Sequence, residues 1–446
     1  MKIKLSDHFT LRRLLRFTLP SMVMMIFTSI YSVVDGFFVS NFAGKTAFAA
    51  VNFIMPTLMM LGGVGFMFGT GGSALVAMRL GEKKQMEANQ IFSMLVYVSI
   101  VCGMALGILG IIFLPNIARA LGAEGEMLEQ CVLYGRIILL ANAAFFLQME
   151  FQSFFITAEK PHLGLTITVA AGVTNMVLDA VFVGVLRWGL VGAAAATALS
   201  QVVGGVFPLF YFGRTNSSLL RLTRTRILWY ELGKACANGS SELMTNLSMS
   251  LVNILYNYQL LRFAGEDGVA AYGVIMYASF LFVAVFVGYA VGSAPIVSYH
   301  YGANNRKEVN NLYRKSLKLI GVVAVVMTIG SMFIIPHVAR FFVGYDENLL
   351  ILTTRAFRLY GLSFLIMGFN VYASSFFTAL GDGVTSALIS FLRTLLFQVA
   401  AVLLLPLLLG IDGIWLAVTA AELAALLVSI GLFITRDQQF HYRKAE

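Results

Sequence analysis

Apolar residues in this chain come in long blocks, each about 20 residues or more, broken by short segments that collect Lys, Arg, Asn, Asp and Gly. About 20 apolar residues cross a bilayer as a helix, and only helices and closed barrels satisfy every backbone group in lipid. The blocks are too long and continuous for the alternating strands of a barrel. Twelve spans are predicted, at approximately 17–39, 49–78, 91–114, 132–158, 163–186 and 190–212, then 235–261, 269–300, 317–336, 356–380, 384–409 and 414–435. Connections as short as 187–189 and 381–383 make their flanking helices antiparallel neighbours. The start, MKIKLSDHFTLRRLLRF, is basic and amphipathic without a small-residue cleavage site, and reads as no removable signal peptide.

Composition hardens this picture. Of 446 residues 59% are hydrophobic and only 12% charged, with mean hydropathy +0.83. A soluble chain carries roughly 25% charged residues. A larger core does not explain the deficit, because single soluble cores stop growing at about 250–300 residues. A soluble enzyme, a nucleic-acid binder and a disordered scaffold are therefore excluded. The net charge of +9 belongs to the loops: with both termini in the cytoplasm, 22 Lys and Arg fall on that side and 8 on the other, leaving Arg393 inside a span. The positive-inside rule then gives a multi-pass protein of the cell membrane with both termini cytoplasmic.

Conventional site chemistry is missing. Cys102, Cys131 and Cys236 imply neither a disulfide framework nor a metal cluster, and the five histidines have no ligand spacing. No nucleophile–base set and no ATP-binding motif is present, so no enzyme and no cofactor is expected, and the energy source is a gradient or a partner chain. The glycine-dense stretch 62–72, with Gly65 and Gly69 at GxxxG spacing, reads as close helix packing.

Shifting the chain by 221 residues makes it match itself. Phe42, Ala43 and Gly44 fall on Phe263, Ala264 and Gly265; Gly71, Gly81 and Asn89 fall on Gly292, Gly302 and Asn310. Two six-span halves start on the same side of the membrane, so the repeat is parallel, about an axis along the membrane normal. The halves are 1–220 and 221–446, an N-lobe and a C-lobe, bridged by the basic, Ser/Thr-rich segment 213–226. The fold class is an all-α polytopic membrane protein of twelve helices in two pseudo-symmetric lobes, a design suited to alternating access.

Departures from the repeat carry the candidate chemistry. Asp35, Glu150, Asp179, Glu242 and Glu422 lie inside spans, and none of their repeat images is acidic; Tyr256 and Tyr372 stand opposite Asp35 and Glu150. Each costs roughly 2.5–3.5 kcal/mol or more at a helix centre if charged and unpaired. Asn175 and Asp179 share a helix face at i, i+4. Two carboxylates in a low-dielectric site cannot both be charged cheaply. Asp35 and Asp179 can therefore share a proton, or bind Na⁺ with the Asn175 amide and a Thr197 hydroxyl completing an oxygen shell. Glu150, flanked by Gln148 and Gln152 amid phenylalanines, suits a lipophilic cation. Glu242, Asn246 and Asn253 belong to a polar stripe down the seventh span, read as cavity lining or interhelical hydrogen bonding. Tyr256 and Tyr372 complete the candidate substrate cavity. Arg393 and Glu422 are expected to offset each other.

Two six-span halves, the first-span VDGFFVSNFAG, the AAVNFIMP stretch and the fifth-span N-x-x-x-D together resemble the multidrug and toxic compound extrusion (MATE) transporters, over essentially the whole length. The resemblance implies a V-shaped pair of lobes and export of amphipathic, often cationic or aromatic compounds against inward flow of H⁺ or Na⁺. It implies an N-lobe cation site at Asp35, Asn175, Asp179 and Thr197, with Asp35, Asn175 and Asp179 as metal ligands if the ion is Na⁺. Branches with a C-lobe Na⁺ site use an Asp in the tenth span, and 356–380 contains no acid. Coupling is therefore placed in the N-lobe. The expected partners are small-molecule substrates and membrane lipid, with no nucleic acid, and the chain is expected to act as a monomer. The alternative function is a lipid or lipid-linked oligosaccharide flippase of the same superfamily. It would call for several bases lining the cavity, whereas five of the six charges well inside the spans are acidic.

Overall fold

The structure is a computed structural model that describes residues 3–344 and 346–442, without the side chains of Ser40, Lys45 and Glu266. Lys2, Arg443, Lys444 and the Lys45 side chain, all part of the charge count, lie outside it. The chain is an all-helical membrane protein. In the N-terminal half, α1 (Leu11–Phe38), α2 (Lys45–Gly81) and α3 (Gln85–Ala120) lead to α4 (Gly125–Leu140) and α5 (Asn142–Thr157), then to α6 (Pro161–Asp179) and α7 (Gly189–Gly213). The second half begins with the 74-residue α8 (Trp229–Gly302), then α9 (Arg306–Val343), α10 (Glu347–Gly361), α11 (Phe364–Ala379), α12 (Gly383–Phe391), α13 (Phe397–Leu409), α14 (Ile411–Thr435) and the short α15 (Asp437–Phe440).

Among the described residues nine helices are long and apolar enough to cross a membrane. Two bent pairs, α4 with α5 at 59° and α10 with α11 at 45°, bring the count to eleven. The twelfth is the first arm of α8, from Trp229 to Gly265. Its stripe of Asn238, Glu242, Asn246, Ser250, Asn253 and Asn257 dilutes the apolar signal.

The repeat is visible in the backbone. Gly44 (φ 100°, ψ 165°) joins the first two spans, and its image Gly265 (φ 61°, ψ −149°) breaks α8 between the seventh and eighth. Both conformations are essentially restricted to glycine. Pro115 in α3 and Pro336 in α9 are images of each other, and the two bent pairs occupy the fourth and tenth spans. Even the tails correspond. The segment after α7 docks on α3, with the Arg221 N–H donating to Asn89 Oδ1 at 3.1 Å. The segment after α15 docks on α9, with Asn310 Nδ2 donating to the Tyr442 carbonyl at 2.7 Å. The bridge between lobes is thus pinned: Thr223 N–H also donates to Ser93 Oγ at 2.8 Å.

The lobes meet where α1 and α2 pack against α8. A Cβ on Gly71 would lie 2.8 Å from Gly239 Cα, and one on Gly292 would lie 3.2 Å from Thr18 Cα. These are equivalent contacts across the pseudo-two-fold axis. Near the charged loops, Gly81 packs on the Tyr299 carbonyl and Gly302 on that of Met78, again as images. Small residues let helix backbones approach closely where lipid supplies no hydrophobic drive. Arg79 on α2 reaches Glu231 on α8 at 2.9 Å and closes the same end with an ion pair. A strap formed by residues 3–10 also bridges the lobes there. The Leu5 N–H donates to Glu159 Oε1 at 2.7 Å on the N-lobe side, and the Phe9 N–H donates to Glu308 Oε1 at 2.9 Å on the C-lobe side. Leu5 and Phe9 are fully buried.

Candidate functional site

Asp35, Asn175, Asp179 and Thr197 come together from α1, α6 and α7. Thr197 Oγ1 donates to Asp35 Oδ1 at 3.5 Å and accepts from Asn175 Nδ2 at 3.4 Å. Asp179 is close enough to Asp35 for the two carboxylates to interact electrostatically. Asn175 and Asp179 are 1% and 0% exposed, so water does not solvate their oxygens. Neither Asp179 carboxylate oxygen receives a hydrogen bond from a described N–H or O–H group, and Asn175 Oδ1 is equally without a donor. Buried oxygens without donors cost about 1–3 kcal/mol or more each unless something electropositive sits among them. The set is all oxygen, suited to a proton or a hard cation and not to a soft metal. Among the described residues no group of three or more His, Cys, Asp or Glu forms a metal centre.

Local backbone structure marks the same place. The α-helical hydrogen bonding of α1 gives way after Phe38 to a π-helical segment, Val39–Ala43, and the Val39 N–H is shared between the Asp35 and Gly36 carbonyls. Asp179 immediately precedes a second such segment, Ala180–Val185. Single π turns inside helices are rare and frequently accompany functional sites.

Two tyrosines join the site that the sequence reading did not select. Tyr134 on α4 is fully buried and faces Asp35, Asp179 and Thr197. Tyr31 precedes Asp35 by one helical turn and interacts with both Asp35 and Gln148 of α5. The i, i+4 spacing of Tyr31 and Asp35 was a usable signal. Tyr134 had none, because only tertiary packing carries α4 to α1.

The candidate cavity residues divide. Glu242, Asn253 and Tyr256 line a cavity of about 190 Å³ with Arg393, Tyr360 and Met367; it lies mainly in the C-lobe and is completed by Thr70, Ser73 and Ser153 from the N-lobe. Tyr256 stacks on Tyr272 with ring centres 5.0 Å apart, and the Tyr272 hydroxyl donates to Asn253 at 2.7 Å. Asn246 turns back to the Glu242 carbonyl at 2.8 Å and lies against Gly63 at the seam. Gln148, Glu150 and Gln152 are buried in the N-lobe outside this cavity: Glu150 faces Ser99, and Gln148 packs on Gly204. Tyr372 sits in an aromatic cluster with Tyr289 and Phe376. Arg393 and Glu422 form an ion pair at 2.7 Å.

Comparison with known proteins follows the same outline. The MatE family model matches residues 20–181 and 243–403, one copy in each half. The multidrug export protein MepA of Staphylococcus haemolyticus (strain JCSC1435) is 23% identical over 433 residues, covering 96% of this chain and 94% of its own. Among solved structures, a MATE protein crystallised in complex with MaL6 aligns at TM-score 0.92 and 23% identity, over 97% of this chain and 98% of its own. A multidrug resistance MATE transporter of the MOP superfamily in an outward-facing conformation aligns at TM-score 0.92 and 23% identity, covering 97% of both chains.

Proposed function

The chain belongs to the MatE family, and from that premise we propose that it exports amphipathic, cationic or aromatic compounds across the cell membrane in exchange for H⁺ or Na⁺. The observation that carries the coupling assignment is the buried oxygen cluster of Asp35, Asn175, Asp179 and Thr197, in which Asp179 has no described donor. An incoming H⁺ or Na⁺ takes one negative charge off the Asp35–Asp179 pair; without it the pair carries a charge that the surroundings do not solvate. Its gain and loss therefore change the packing of α1 against α6 and α7. Tyr31 and Gln148 extend the cluster toward α5, a route by which that repacking reaches the rest of the lobe.

The seam supports alternating access. Glycine contacts, the Arg79–Glu231 pair and the strap close it at the end that bears the charged loops, which the distribution of Lys and Arg assigns to the cytoplasm. Cargo held in the cavity then leaves by the opposite side, and reloading requires those contacts to part. A flippase for a polyphosphate head group would call for several bases in the cavity; Arg393 is the one basic residue in its lining, and it is partnered by Glu422.

Efflux of a fluorescent cationic dye from everted membrane vesicles, under separately imposed pH and Na⁺ gradients, tests the proposal. Dye movement that follows one of the two gradients and stops in Asp35→Asn and Asp179→Asn supports it. Dye movement independent of both gradients overturns it.

A further inference from the structure

Arg393 is the one basic residue well inside the spans, and the way it is held is unlike a purely structural arginine. Its Nε donates to Glu422 Oε1 at 2.7 Å, while the other carboxylate oxygen, Oε2, accepts from Asn370 Nδ2 at 2.8 Å. Asn370 is held in turn by Ser429 at 3.0 Å, and Asn370, Glu422 and Ser429 are each 1% exposed or less. An arginine whose task is to neutralise a carboxylate commonly grips it with two parallel N–H groups. Here one of five donors is used, and the terminal nitrogens make no hydrogen bond to the described residues. The side chain lines the cavity. A buried relay thus aims a half-used guanidinium at the cavity.

Two further observations point to a ligand. Arg393 lies within the third π-helical segment, Leu392–Leu396. The other two described segments of this kind follow Asp35 and directly adjoin Asp179, so each accompanies a charge inside a span. The second observation is Glu242, which lines the same cavity, interacts electrostatically with Arg393 and makes no ion pair among the described residues. Arg393 is already balanced by Glu422. The cavity therefore offers one anchor for a cation and one bidentate donor for an anion, with Tyr256, Tyr272 and Met367 forming apolar walls. A ligand carrying only a cation meets Glu242 and leaves the terminal nitrogens of Arg393 without an acceptor among the described residues.

We propose that Arg393 is a ligand-binding residue that receives the anionic group of a zwitterionic amphipath while Glu242 receives its cation. The inference rests on the export reading and adds selectivity to it.

The test uses two dyes that differ in one group, a carboxyrhodamine with a free carboxylate and its methyl ester, titrated by fluorescence anisotropy against the purified full chain. Losing a charge-assisted bidentate contact is expected to weaken binding of the free acid about tenfold in Arg393→Gln, while the ester changes by less than about twofold. Because Arg393→Gln strands Glu422 in the interior, the double variant Arg393→Gln/Glu422→Gln is measured beside it and is expected to show the same selective loss. Ester binding reports that both variants are folded. Glu242→Gln is expected to weaken both dyes equally. Equal weakening of both dyes by Arg393→Gln, or no loss for the acid in the double variant, overturns the assignment alone. Wild-type protein that binds neither dye overturns the export reading with it.

Discussion

Thr197 is the smallest member of the cation cluster and tests it most cleanly. It donates to Asp35 and accepts from Asn175, so its hydroxyl sets the spacing of two oxygens that the ion must meet. Thr197→Val keeps the shape and removes the oxygen. A lost hydrogen bond of about 1 kcal/mol raises the ion concentration for half-maximal transport roughly fivefold. Thr197→Ser is expected to stay close to wild type, and transport titrated against pH or Na⁺ reads both. This residue was only half legible in the sequence, because a hydroxyl in a helical span is equally at home bonded back to its own helix; the contacts with Asp35 and Asn175 come from the fold. Asp35, Asn175 and Asp179 were legible for a stronger reason, the cost of polar groups in hydrocarbon. Tyr134 was not. A tyrosine in an apolar span is ordinary, and only the fold carries it to the two aspartates.

Helices show the same division between what a pattern reveals and what packing decides. Block length gave the spans, and the glycines gave the register of the repeat. Gly265 carries that register into the backbone, and its φ of 61° explains why glycine stands there. Gly265→Ala is expected to cost about 1–3 kcal/mol and lower the thermal unfolding temperature in detergent. Gly273→Ala is the control: it stands in open helical space and is expected to be neutral or mildly stabilising. The strap of residues 3–10 escaped the sequence reading, since its anchors are two glutamates some 150 and 300 residues away. Burial pushes the Glu159 carboxyl above its usual range, partly countered by the Leu5 N–H it accepts. A carboxyl raised in the folded state stabilises the docked strap when protonated, and that contribution is lost as pH rises through the raised value. Measured relative to a free peptide substrate at the same pH, trypsin cleavage after the exposed Lys4 is therefore expected to be slower at about pH 5 than at about pH 8. Glu159→Gln, fixed in the neutral form, is expected to cleave slowly at both.

At the scale of the whole molecule the pseudo-symmetry is close at the seam and absent at the charges. Gly71 and Gly292, and Gly81 and Gly302, make equivalent contacts across the axis. Asp35 and Asp179 lie in one lobe, and the Glu242–Arg393 cavity lies mainly in the other. A scaffold that rocks needs both halves alike, whereas an ion site and a cargo site each need to exist once. The Arg79–Glu231 pair crosses the seam with both side chains largely buried, at 17% and 16% exposed. Arg79 also reaches Glu82 at 2.9 Å, whereas Glu231 has no other ion pair among the described residues, so Arg79→Gln strands Glu231 and is expected to destabilise the closed end more than Glu231→Gln, with the double variant costing less than the sum. Crosslinking yield between cysteines placed at Met78 and Tyr301 reads that closure, and a yield unchanged in every variant would leave the pair no role at the seam.

The central claim is that the Asp35–Asp179 pair couples ion entry to cargo exit. Its most direct measurement is gradient-driven dye transport in everted vesicles by Asp35→Asn and Asp179→Asn, alongside dye binding by the same purified proteins. The expected result is binding within about twofold of wild type, with gradient-driven transport reduced tenfold or more, a loss of about 1.4 kcal/mol or more of coupling. Wild-type transport in both variants, under either a pH or a Na⁺ gradient, would contradict the claim.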